Sequence, residues 1–283
     1  MFSTTPVQIE GQTWCVHEYG PKDGLPILAL HGFAGLGEDF LPIIEQSPKS
    51  WRWILPDLIG HGQSAGPDEL NFYRLDYLMR SLFQIQDQFL NGQNYVLLGY
   101  SLGGRIALQY AINHPQQIAQ LVLISASPGI RGEEARVQRR NEDEVLAQFL
   151  MTHGMDEFVR LWENRPIIAS QRKHIPAATF AHMRIRRLEN KPRALAHALS
   201  CFSPGLWPEC WGRAAYLKMP VLIVTGEEDT VYSHNAEEMC RRIPQSKHLT
   251  IPKAGHAVHL ENTTAFVAAL EPEVNAVTEC MVI

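Results

Sequence analysis

Short apolar runs separated by longer stretches of helical spacing recur along this chain. That alternation restricts it to parallel β-α units. The runs are Thr13 to His17, Pro26 to Leu30, Trp51 to Leu55, Tyr95 to Leu98 and Leu121 to Ile124, then Val221 to Thr225 and His248 to Ile251. Between about Pro128 and Met219 the strand pattern stops. There Val145, Leu146, Phe149 and Leu150 recur at helical intervals, as do Phe158, Leu161 and Trp162, then Leu195 and Leu199. The spacing predicts a helical lid, residues 129–216, inserted into an α/β core made of residues 1–128 and 217–283.

With 283 residues, 45% of them hydrophobic, the chain can bury a full core. A net charge of −5 argues against a nucleic-acid binder, which would carry a basic excess, and leaves small molecules as the expected partners. The five cysteines (Cys15, Cys201, Cys210, Cys240, Cys280) are scattered and contain no C-x-x-C pair, so reduced thiols in a cytoplasmic protein are expected, with no metal and no cofactor. No signal-like segment opens the chain and no apolar run reaches membrane-spanning length. Cys280-Met281-Val282-Ile283 fits the C-a-a-X prenylation pattern, but no polybasic segment supports it, and a disordered tail is expected.

Charge is unevenly divided. In the lid, twelve Arg and two Lys outnumber eight Glu and two Asp by four, which leaves the rest of the chain at −9. A basic lid over an acidic body suggests an anion held between them; the plainer reading is solvated helix faces with ion pairs of their own.

Gly99-Tyr100-Ser101-Leu102-Gly103 matches G-x-S-x-G between a strand and a helix, the context of a nucleophile elbow. The glycines are needed because the serine occupies a strained turn that the strand and helix pass closely. Asp229, in Gly226-Glu227-Glu228-Asp229, follows a predicted strand, and His256, in Ala254-Gly255-His256-Ala257, follows the last one. The order Ser, Asp, His is that of α/β hydrolases, with His256 accepting the Ser101 proton and Asp229 fixing the imidazole. Glu227, Glu228 and His259 are the competitors. His31-Gly32-Phe33 follows the Pro26 to Leu30 strand, which assigns the oxyanion-hole donors to the amides of Phe33 and Leu102. Arg105 stands at i+4 from Ser101, on the same helix face. An unpaired guanidinium there would cost several kcal/mol, so it needs an anion, either the substrate or a protein carboxylate such as Asp57.

These residues resemble the α/β-hydrolase-fold lyases called 2-succinyl-6-hydroxy-2,4-cyclohexadiene-1-carboxylate synthases, of menaquinone and phylloquinone biosynthesis. The resemblance rests on the His31-Gly32-Phe33 turn, the segment Asp57 to Ser64, the elbow through Arg105, Ser127-Pro128-Gly129-Ile130 and the Gly255-His256 loop. It implies that the Ser101, His256, Asp229 set promotes a proton abstraction that expels pyruvate from a cyclohexene bearing several carboxylates. It places carboxylate binding on Arg105, Arg139 and Arg187, with Arg140 and Arg186 as the adjacent alternatives, and makes Tyr100 and Trp162 pocket walls. Residues Glu271 to Ile283 depart from the family pattern, and no function attaches to them. The competing readings are a serine hydrolase of esters or carbon–carbon bonds, acting through an acyl-enzyme, and a ligand receptor without turnover.

Overall fold

The computed structural model of the protein describes residues 2–279. Eight strands form one sheet: β1 (Phe2–Ile9), β2 (Gln12–Tyr19), β3 (Leu25–Leu30), β4 (Trp51–Pro56), β5 (Tyr95–Tyr100), β6 (Ile118–Ile124), β7 (Val221–Gly226) and β8 (Ser246–Ile251). Their spatial order is β1-β2-β4-β3-β5-β6-β7-β8. The pairs from β4 to β8 are parallel, whereas β1, β2 and β4 pair antiparallel. Every predicted strand is present. β1 was not predicted, and its composition explains why: Ser3, Thr4 and Gln8 are exposed, Thr5 is only half-buried, Pro6 interrupts it, and only Val7 and Ile9 reach the core. Such a strand survives only at an edge, where a proline removes no needed ladder bond.

Helices α1 (Leu41–Gln46), α2 (Leu75–Leu90) and α3 (Leu102–Asn113) fall between the first strands, while α9 (Thr230–Cys240), α10 (Val258–Glu261) and α11 (Thr263–Glu279) follow β7 and β8. The sheet is buried on both faces by alternate side chains of the same strands. Leu28, Leu30 and Leu97 join the cluster that includes α2 and α3; Ile27, Ala29, Val96 and Leu98 join the one that includes α11. Each buried Val, Leu or Ile among them contributes about 1.5–3 kcal/mol. Glu271 to Glu279 belong to α11, where Val274 is buried against the second cluster. Cys280-Met281-Val282-Ile283 lies outside the described residues.

Between β6 and β7 the chain forms α4 (Glu133–Trp162), α5 (Ser170–His174), α6 (Ala177–Leu188), α7 (Pro192–Cys201) and α8 (Trp211–Ala214). Helix α4 is two helices joined at Gly154, whose φ of 75° breaks the ladder. Leu146, Leu150, Phe158, Leu195 and Leu199 form their own cluster, against which Phe33 and Trp162 rest. Two residues of the predicted apolar stripes face outward instead, Val145 and Leu161. The insertion has a closed stem: the Cys210 amide donates to the Pro128 carbonyl at 2.8 Å, and the Trp211 indole donates to Gly129 at 3.0 Å. Among the described residues, no helix is long and apolar enough to cross a membrane.

Candidate active site

Ser101 sits where β5 ends and α3 begins, with φ 51° and ψ −107°. A β-carbon is disfavoured in that conformation, and the surroundings must enforce it. They do so by close approach. A side chain on Gly103 would stand 2.1 Å from the Leu30 carbonyl oxygen, and one on Gly99 would stand 2.4 Å from that of Gly103. The Ser101 amide is anchored to the Ile124 carbonyl at 2.9 Å, and its own carbonyl receives the Arg105 amide.

Two loops at the carboxyl ends of neighbouring strands bring a histidine and an aspartate to the serine. His256 Nε2 lies 2.9 Å from Ser101 Oγ, and His256 Nδ1 lies 2.7 Å from Asp229 Oδ2. With Asp229 accepting the Nδ1 proton, Nε2 is left as the acceptor for the serine hydroxyl. The competing residues are engaged elsewhere. Glu228 is bound by Lys173 and His174, and Glu227 accepts from the Lys253 amide. His259 lies in α10, 4.4 Å from the Tyr100 ring, and burial drives it down to about 3.

Phe33 and Leu102 both border the space in front of Ser101, and neither amide has an acceptor among the described residues. The loop carrying Phe33 is braced by His31. Its Nδ1 donates to the Gly32 carbonyl at 2.8 Å and its Nε2 accepts from the Leu58 amide at 2.9 Å; burial keeps the ring neutral. Gly32 is required because a β-carbon there would come 2.6 Å from the Tyr100 ring.

The serine opens into a cavity of about 440 Å³ between the insertion and the body. Its border includes Arg105, Arg139, Arg187, Tyr100 and Trp162. Arg105 has no acidic partner among the described residues. Its guanidinium donates to the Phe202 carbonyl at 3.1 Å and lies 5.4 Å from the Trp207 ring centre, and loss of water lowers its pKa to about 10. Asp57, the alternative partner from sequence, is committed elsewhere. It accepts from the Gly37 and Gln63 amides at 2.8 Å and faces His17 Nε2 at 3.4 Å. Burial opposes charge on both, but their mutual contact prevails, holding His17 up at about 10 and Asp57 below the usual carboxylate range.

A model of the alpha/beta hydrolase fold family matches residues 26–263. A Bacillus subtilis (strain 168) protein provisionally named 2-succinyl-6-hydroxy-2,4-cyclohexadiene-1-carboxylate synthase is 34% identical over 91% of this chain and 93% of its own. The Salmonella paratyphi B protein of that name is 30% identical over 90% and 95%. The solved structure of MenH from S. aureus superposes with a TM-score of 0.86 at 32% identity, covering 94% of this chain and 98% of that one. The chain belongs to the 2-succinyl-6-hydroxy-2,4-cyclohexadiene-1-carboxylate synthase family.

Within this synthase family member, the paired arginines separate cleanly. Arg139 borders the cavity, and its Nε bonds both Asp143 oxygens at 2.9 Å, leaving the two terminal nitrogens without an acceptor among the described residues. Arg140 instead bonds Glu133 and the Gly205 carbonyl, away from the cavity. Arg187 borders the cavity and is held by Gln171 at 2.9 Å and Glu163 at 3.4 Å, whereas Arg186 binds Asp39. Glu163 is also contacted by Arg172 and Arg184, so three arginines share one buried carboxylate.

The lid's surplus charge is therefore mostly paired. Arg136, Arg139, Arg140 and Arg160 have partners within the lid, and Arg131, Arg186 and Arg193 have partners on the body. The plainer reading of the lid's charge holds for most of it; among the described residues Arg165, which borders the cavity over the Trp162 ring, has no acidic partner in the lid, and Arg105 has none in the body. Several cavity residues, Tyr232 among them, were not found from sequence. Tyr232, three positions after Asp229, places its ring 4.6 Å from His256. Its position in the first turn of α9 gave the only signal.

Proposed function

We propose that the chain is a cofactor-independent lyase converting 2-succinyl-5-enolpyruvyl-6-hydroxy-3-cyclohexene-1-carboxylate to 2-succinyl-6-hydroxy-2,4-cyclohexadiene-1-carboxylate and pyruvate. The observation that carries this reading is Arg105, a desolvated guanidinium with no ion-pair partner among the described residues, on the helix that the reactive serine opens. A polycarboxylate supplies the missing anion. A neutral ester does not.

His256 takes the Ser101 proton, and the serine oxygen removes a proton from the ring. The electron pair moves through the ring double bond, and the carbon–oxygen bond to the enolpyruvyl group breaks. The departing enolate takes the proton carried by the His256 imidazolium and becomes pyruvate, which leaves the base neutral and the serine hydroxyl restored. Asp229 stabilises the imidazolium formed meanwhile. The amides of Phe33 and Leu102 stabilise negative charge as it builds on a substrate oxygen. Arg105, Arg139 and Arg187 grip the carboxylates with planar, forked donors that a lysine could not reproduce. Tyr100 and Trp162 wall the ring.

Incubation with the enolpyruvyl substrate, coupled to lactate dehydrogenase and NADH, tests the reading. Stoichiometric pyruvate is expected, and its absence would sink the proposal. The Ser101–His256–Asp229 spacing also suits acyl transfer, so a serine hydrolase is the second reading. An activated ester that gives a burst of acyl-enzyme without pyruvate-forming activity would favour it.

A further inference from the structure

Glu261 stands at the end of α10 and is buried, with only 6% of its surface exposed. Nothing in the reaction above uses it. Its carboxylate nevertheless accepts hydrogen bonds on both sides of His256: Oε2 from the Gly255 amide at 2.7 Å and Oε1 from the Ala257 amide at 2.9 Å. Two amides flanking one residue, both held by a single side chain, fix the peptide planes on either side of its Cα. The imidazole direction is then set by the loop rather than by its contact with Asp229 alone.

A third donor comes from the insertion. Ser170 Oγ, the first residue of α5, donates to Glu261 Oε1 at 3.0 Å. The approach is so close that a β-carbon on Gly255 would lie 2.2 Å from that hydroxyl. The same short helix also reaches the loop of the catalytic acid, since Lys173 and His174 bind Glu228 at 2.6 and 2.9 Å, one residue before Asp229. The two loops are stitched together by the Glu228 amide donating to the Ala254 carbonyl at 2.9 Å.

We infer that Glu261 is a positioning residue for His256, and that through Ser170 it ties the alignment of the base to the seating of the lid over the cavity. The inference rests on the proposed roles of Ser101 and His256, but not on the identity of the substrate. A carboxylate is suited to this duty because all three of its neighbours are donors. An amide in its place turns one acceptor into a donor facing another donor. Near His256 stand Asp229, Tyr232 from α9, Tyr100 and Ser101 from the elbow, and His259 from α10.

The test is the rate at which a fluorophosphonate labels Ser101 across pH, measured beside pyruvate release on the full chain. Glu261→Gln is expected to lower the plateau labelling rate about tenfold, to lower kcat with KM within twofold, and to move the acid limb to lower pH. Ser170→Ala keeps the carboxylate charge, so it should lower the plateau two- to threefold without moving the limb. A folded Glu261→Gln with the parent's plateau would overturn the inference, as would losses confined to KM or to the melting temperature. Should that variant not fold, Ser170→Ala decides alone: a plateau equal to the parent's overturns it. A parent protein that labels readily but releases no pyruvate sinks the lyase reading and leaves the Glu261 comparison intact.

Discussion

The guanidinium carbon of Arg105 lies 5.4 Å from the centre of the Trp207 ring, so the cation is held by an aromatic face and the Phe202 carbonyl instead of a carboxylate. Such contacts position the group but leave its charge uncompensated, and a cation–π contact is worth only about 0.5–2 kcal/mol. Arg105→Ala should therefore cut kcat/KM for the polycarboxylate on the order of 100-fold, about 2.7 kcal/mol at 1.36 kcal/mol per decade. Hydrolysis of a small neutral ester should change little. Arg105→Lys should recover only part of the loss, because a point charge cannot form two parallel bonds. Equal losses on both substrates would mean that Arg105 merely supports the helix.

The neighbouring arginine pairs give a second comparison. Arg139→Ala and Arg187→Ala should each raise KM about tenfold or more, in line with the loss of a charge-assisted contact of about 1.5–3 kcal/mol. Arg140→Ala and Arg186→Ala, whose side chains point to Glu133 and Asp39, should leave it within about threefold. Steady-state kinetics on the four variants would expose a reversed assignment.

Asp229→Asn should preserve the fold and lower kcat on the order of 10³ to 10⁴, because an amide donor at Nδ1 favours the imidazole tautomer that cannot accept the serine proton. Pyruvate release and circular dichroism together check this. A loss smaller than tenfold would remove Asp229 from the relay.

Much of this was legible in the residues, and the limits have physical causes. The parallel strands announced themselves because burial on both faces makes them continuous apolar runs, as in Pro26 to Leu30. β1 did not, since an exposed edge strand needs only two inward residues. Ser101, Asp229 and His256 were readable because each follows a strand in a fixed order. Glu261 was not, because a glutamate on a helix reads as solvated surface until the amides it faces are known. Arginine counts showed a charge surplus in the lid but not how it is distributed, since a carboxylate such as Glu163, at the end of α4, gathers its three partners from α5 and α6.

Gly103→Ala should be severely destabilising. The added methyl would meet the Leu30 and His31 carbonyl oxygens at 2.1 and 2.6 Å, both backbone atoms that cannot swing aside. Overpacking of this kind costs about 1–3 kcal/mol or more. Thermal unfolding should show a melting temperature several degrees lower; an unchanged one would contradict the close approach of α3 to β3.

Acid should unfold the chain earlier than its carboxylates alone require. Burial holds His61 and His259 down at about 3, from an ordinary 6.5. Unfolded, each takes up a proton below pH 6.5 that the folded chain refuses, so stability falls as pH drops from 6.5 towards 3. Each contributes up to about 1.4 kcal/mol per pH unit in that window. His17, held up at about 10, is protonated in both states over the lower part of that window and adds an opposing slope only near pH 6.5. Urea titrations at pH 6.5, 5.5 and 4.5 measure this, and His61→Phe should make the decline shallower. An identical slope in that variant would disprove the assignment.

The insertion leaves and rejoins the body at one point, where Pro128 and Gly129 bond Cys210 and Trp211, between strands that are immediate neighbours in the sheet. A stem of that kind works as a socket. Segments of other lengths and chemistries can be plugged into it without disturbing how β6 and β7 align, so the appetite for a given molecule can diverge while the reacting atoms below keep their places.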